Sequence, residues 1–169
     1  MWSMFGAALL LTGVAAGCVP TLPVGGPEPR HVTFVEHQTV AASYGAPSCT
    51  PDNHCVTPFT EGGTVDGDAV GNYAAAAAAV GNAANTQFGV SRTDVLSVDV
   101  PQCGTGSVMI GITEVATSAG TANGKWTVMR GFGTGDLATV TGFGNLVGVF
   151  DAGTGGFKNT FSGLITCTS

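Results

Sequence analysis

From residue 31 to residue 40 the chain alternates. Val32, Phe34, Glu36, Gln38 and Val40 fall on one face of an extended strand, and His31, Thr33, Val35, His37 and Thr39 on the other. A period of two marks a strand that turns one face toward a core. Similar β-patterned stretches cover 64–71, interrupted by Gly67, then 94–100, ended by Pro101, and 107–115. The stretch 137–150 is rich in Thr, Val and Phe, with Gly142 and Gly144 where a barrel strand would bend. In 157–167, Phe157, Phe161 and Ile165 repeat along one face. Asn123-Gly124 is the strongest hairpin signal, because a two-residue type I′ turn needs positive φ at both positions, and it leads into a strand at 125–130. The glycine- and proline-rich block 45–63 reads as a loop, and 151–156 as a turn. Seven or eight short strands without a convincing amphipathic helix predict an all-β fold: a closed antiparallel β-barrel of about eight strands, with a β-sandwich as the alternative.

The six alanines at 74–79 pose a conflict. Alanine has the highest intrinsic helix propensity, yet Gly71 and Gly81 flank the run, and so short a helix is marginal without an amphipathic face. Small side chains also suit a crowded strand, and strand is the reading adopted here.

Charge bears on function. Charged residues make up 9% of the chain, well under the ~25% usual for soluble domains. The net charge is −6, and Arg30, Arg92, Lys125, Arg130 and Lys158 are scattered singly, so no basic footprint for nucleic acid can be assembled. Phe132, Phe143, Phe150 and Phe157 are expected to pack in the core rather than form a stacking platform.

Near the start, an uncharged apolar run beginning at Met4 ends in Ala15-Ala16-Gly17-Cys18, which resembles a bacterial lipobox, although Met1-Trp2-Ser3 lacks the usual basic residue of a leader. The expected organisation is a signal peptide at 1–17, a lipidated Cys18 opening a Pro- and Gly-rich tether at 18–30, and a barrel domain at 31–169. That places the protein outside the cytosol, anchored by lipid at the cell envelope or secreted.

In such a compartment Cys49, Cys55, Cys103 and Cys167 form an even set with three possible pairings. The expected pairs are Cys49–Cys55, closing a small loop, and Cys103–Cys167, tying the approach to a central strand to the last strand. In the chain-entropy model the longer loop is worth about 4 kcal/mol. A metal site from Cys49, His54 and Cys55 lacks the paired spacing of zinc ligands, and His31 and His37 lie roughly 20 Å apart along a strand. No metal or cofactor is expected. Gly133-Thr-Gly135-Asp-Leu-Ala138 fits a loose dinucleotide pattern, but the β-branched residues that follow oppose the helix it requires.

The segment Gly124-Lys-Trp-Thr-Val-Met-Arg-Gly-Phe-Gly-Thr-Gly-Asp-Leu-Ala138, followed by Gly142-Phe-Gly144 and Phe161-Ser-Gly163, resembles the C-terminal half of small bacterial barrels related to allene oxide cyclase and plant dirigent proteins. The resemblance covers about a quarter of the chain. It implies an eight-stranded antiparallel barrel, often oligomeric, with an apolar lumen, and no catalytic residue of either family is carried over.

Glu36 and Glu114 each share a strand face with apolar residues. Each is expected at a strand end, in solvent or paired with an arginine. A carboxyl turned into an apolar lumen would instead have a raised pKa and could act as a general acid. The function expected is therefore non-catalytic: an exported barrel that binds a small apolar ligand or a partner. A cyclase- or isomerase-like enzyme using Glu36 or Glu114, and a structural barrel filled by its own side chains, are the alternatives. A sealed lumen would favour the structural reading, an open apolar one binding, and an open one containing either glutamate catalysis.

Overall fold

The computed structural model describes residues 27–82 and 86–167. The expected leader, Cys18 and tether residues 18–26 lie outside them. Among the described residues nine strands form: β1 Arg30–Tyr44, β2 Ser48–Cys49, β3 His54–Gly67, β4 Val70–Asn82, β5 Gln87–Val100, β6 Gly104–Thr117, β7 Thr121–Val128, β8 Thr141–Asp151 and β9 Gly156–Thr166. All pairings are antiparallel, in the order β1-β9-β8-β7-β6-β5-β4-β3-β2. A further ladder between β1 and β3 shuts eight of the strands into a barrel. The two-residue β2 pairs only with β3. The alanine run belongs to β4, as expected, and alternates Ala75 and Ala77 inward with Ala74 and Ala76 outward.

Several sequence expectations are corrected. The supposed loop at 45–63 contains most of β3. Its Pro58 falls just past Tyr44 and Phe59, the last pair of the β1–β3 ladder, where a missing N–H is tolerated. Residues 64–71 are not one short strand: β3 ends at Gly67 and β4 begins at Val70. Asn123-Gly124 is not a turn, because both residues lie inside β7 and the reversal falls at 118–120. Gly124 pairs with Glu114, and a Cβ there would lie 2.6 Å from the Glu114 Cβ, so close approach explains this glycine. Val40 points outward and is 58% exposed, because the β1–β3 register shifts between Gln38 and Val40. Phe132, Phe143 and Phe150 are also exposed, and of the four aromatics expected in the core only Phe157 faces the lumen.

The barrel's two halves differ. In one, Phe34 stacks on Phe161 with centroids 4.6 Å apart and meets Trp126 edge-on at 5.9 Å. Leu96, Val98, Val108, Ile110 and Val128 fill the space around them. The segment between β7 and β8 caps this end. Ser107 N donates to Thr134 Oγ1 at 3.1 Å, Thr105 N donates to Asp136 Oδ2 at 3.1 Å, and a 3-10 turn at Gly135–Leu137 buries Leu137. The Gly-Thr-Gly-Asp-Leu sequence is thus a plug that ends in one helical turn, with no helix to hold a pyrophosphate. The disulfide Cys103–Cys167 joins the β5–β6 turn to the end of β9, with Cα atoms 5.5 Å apart. At the opposite rim Cys49–Cys55 links β2 to β3, with Cα atoms 4.0 Å apart. Both expected pairs are present, and two disulfides fit a non-reducing, exported environment. Among the described residues no helix is long and apolar enough to cross a membrane.

Candidate functional site

The other half of the barrel is hollow because its inward residues are small. Ala79 on β4, Ala116 on β6 and Ala122 on β7 face a cavity of about 550 Å³ that opens at the rim. Phe59, Phe88, Val90 and Phe157 supply most of its apolar wall, and Tyr44, Pro47 and Cys55 stand at its lip. At the packed end the residual void is about 40 Å³, too little for a ligand. The lumen is neither sealed nor open throughout.

A charged layer separates the two halves. Arg92, on the inward face of β5, sends Nη1 to Glu61 Oε1 on β3 and Nη2 to Glu36 Oε2 on β1, each at 2.7 Å. Nη2 also lies 2.8 Å from Asp94 Oδ2, within ion-pair distance but without hydrogen-bond alignment. Glu36 and Asp94 are wholly buried. One guanidinium therefore serves three carboxylates, and such a group is tolerated inside a protein only when its charges are paired.

Burial dominates the acid–base behaviour here. It holds the Glu36 carboxyl well above its ordinary range, opposed by Arg92 and reinforced by Asp94. It raises Asp94 to about 6, again against Arg92. Each acid lies in the other's field, so their titrations are linked. Arg92 stays protonated, because its three carboxylates outweigh the cost of its burial. Tyr73, beneath the cluster on β4, is held neutral by burial and by the surrounding acids, and its hydroxyl has no hydrogen-bond partner.

Glu114 stands apart. It lines the cavity from β6, burial raises its pKa, and its Oε2 is buried without a hydrogen-bond partner. The cavity floor is formed by Glu61, Arg92 and Glu114, with Gln38 and Asn159 beside them. Gln38 is held in place, as Phe157 N donates to its Oε1 at 2.9 Å.

The structure thus separates the two glutamates singled out from sequence. Glu36 is paired with an arginine, one of the two surroundings expected for it, but it lies mid-strand and buried rather than at a strand end. Glu114 faces the cavity and is partly buried. Sequence reasoning missed Glu61, Arg92 and Asp94. For the last two a signal existed, since Val90, Arg92, Asp94, Leu96 and Val98 share one strand face, and charges in such a row imply an internal partner. His37 lies at the outer surface, 2.9 Å from Asp66. Among the described residues no group of three or more His, Cys, Asp or Glu side chains is arranged to hold a metal ion.

Fold and cavity define a small antiparallel barrel, packed at one end and open at the other over a charged floor. No family model matches the chain, and no curated protein matches it. A similar solved structure is a protein of unknown function from the DUF3224 family of Shewanella oneidensis MR-1. It is 15% identical, with a TM-score of 0.56 over 85% of this chain and 99% of that one. At that identity the likeness concerns the fold alone.

Proposed function

We propose that this protein is a non-catalytic carrier or receptor, held at the cell envelope by a lipid on Cys18, that takes a small, mostly apolar molecule into its open lumen. The observation carrying this reading is the 550 Å³ cavity, walled by alanine and phenylalanine and floored by a few polar groups. Ligand sites commonly have that size and make-up. A structural barrel would be expected to fill both halves, as this one fills only the half around Trp126. The sequence resemblance to allene oxide cyclase and dirigent barrels agrees with an apolar lumen.

A second reading, acid catalysis on a lipid-derived substrate, is favoured by one observation: Glu114 faces the cavity with its pKa raised. Binding is preferred because Glu61, the carboxylate that shares the floor with Glu114, is already paired with Arg92, and Arg92 is committed to three carboxylates. Glu36 is locked beneath Arg92 and offers less. Native mass spectrometry of the full chain purified from envelopes tests both readings. The expected result is a retained small molecule, together with the mass of a lipid on Cys18. A protein that never carries a ligand, even when loaded with apolar extracts, would overturn the binding proposal. Conversion of the retained molecule to an isomer by the natural chain, but not by Glu114→Gln, would establish catalysis in its place.

A further inference from the structure

We infer that the lumen selects amphiphiles with a cationic ammonium head, which it receives at Glu114. The inference rests on the binding reading above and specifies its ligand. Two independent observations carry it. The first is charge balance: Glu61, Arg92 and Glu114 are the charged side chains lining the cavity, and Arg92 is already held by Glu61, Glu36 and Asp94. Three carboxylates around one guanidinium leave no positive charge free to face the ligand, and Glu114 adds a further carboxyl to the wall. Among the described residues no lysine or histidine lines the cavity to receive an anion. The second is hydrogen bonding: Glu114 Oε2 is buried in the wall without a donor, whereas Arg92 Nη1 and Nη2 point at Glu61 and Glu36, leaving only its buried Nε, a single donor, without a partner.

A buried acceptor without a donor is costly, and a charged donor brought to it by a ligand recovers that cost. The rest of the cavity sets the remainder of the ligand. Phe88, Val90 and Phe157 offer apolar contact above the floor, so the body attached to the head is hydrocarbon in character. A fatty acid would bring its carboxylate against Glu61 and Glu114, and repulsion would oppose its entry head first.

Calorimetric titration of the folded, oxidised full chain at pH 7 with decylammonium, decanol and decanoate, each below its micelle concentration, separates the two levels of the proposal. The expected order is decylammonium at least about tenfold tighter than decanol, with decanoate weakest. Glu114→Gln should bring decylammonium close to decanol while leaving decanol unchanged. Ala79→Phe, which fills the lumen, should weaken all three. Decanoate binding as tightly as decylammonium, or a preference for ammonium that survives Glu114→Gln, would overturn the headgroup inference while leaving the binding reading intact. If none of the three binds the natural chain, both fail together. The comparison of heads on the natural chain holds even if a variant does not fold.

Discussion

Arg92 is the residue on which the interior depends. Removing it would leave Glu36, Asp94 and Glu61 buried without a counter-charge, and breaking a buried ion pair in this way costs about 3–5 kcal/mol. Arg92→Met is expected to lose at least that much in urea unfolding, a large share of the ~5–15 kcal/mol typical of whole domains. Adding Glu36→Gln and Asp94→Asn to Arg92→Met should restore part of it. The acids also set a pH dependence. Their folded pKa values lie above the unfolded ones, so the folded state binds more protons between about pH 4 and about pH 6, where Asp94 titrates. Stability from this pair is present at low pH and lost as pH rises through that window. The melting temperature should therefore rise between pH 7 and pH 5, and Asp94→Asn should flatten the rise. The sequence showed Glu36 and Gln38 on the face of Val32 and Phe34, but not their depth, because the ladders on either side of β1 are long-range. Glu36 pairs across to Val65 and Asn159, and neither partnership has a local trace.

The β7–β8–β9 unit is organised around Trp126. Its indole lies over Gly144 on β8 and Gly163 on β9, where an added Cβ would come within 2.5 Å of Nε1 and 2.8 Å of Cζ2 respectively. Gly144 pairs with both Trp126 and Gly163, and Cβ atoms at 144 and 163 would also lie 2.1 and 2.2 Å from the Ser162 and Phe143 carbonyl oxygens, so ring and backbone together need glycine on two successive strands. That requirement accounts for the Trp, Gly-Phe-Gly and Phe-Ser-Gly elements noted in the sequence. Gly144→Ala should destabilise the barrel by about 1–3 kcal/mol through overpacking. Trp126→Ala should cost about 3–5 kcal/mol through the cavity it leaves. Chemical denaturation checks both. Strands with clean alternation, β1, β5, β6 and β9, were legible from period two. The β3 strand was hidden because Pro58, Gly62 and Gly63 mimic a loop. Gly63 is needed where the backbone of β1 passes within 1.9 Å of a would-be Cβ, a tertiary demand with no sequence signature.

Across the whole molecule, stability and function divide between the two ends. The packed end carries the aromatic trio, the Leu137 plug and Cys103–Cys167. The open end carries the cavity and Cys49–Cys55. Loop lengths of 64 and 6 residues make the first bridge worth about 4 kcal/mol and the second about 2 kcal/mol in the chain-entropy model. Replacing Cys103 and Cys167 by serine should therefore lower the unfolding midpoint more than replacing Cys49 and Cys55. The all-β class was legible from the strand count, with barrel and sandwich both open; the hollow half was not legible, since it depends on Ala79, Ala116 and Ala122 meeting across strands far apart in sequence. The central claim is that this hollow half receives an apolar molecule. Methyl-labelled NMR of the full chain titrated with decanol tests it most directly. The account predicts shifts confined to Ala79, Val90, Ala116 and Ala122, with Val98, Val108 and Ile110 unmoved. Saturating decanol that leaves the first group unshifted, or that moves only outward-facing methyls such as Val147 and Val149, would contradict it.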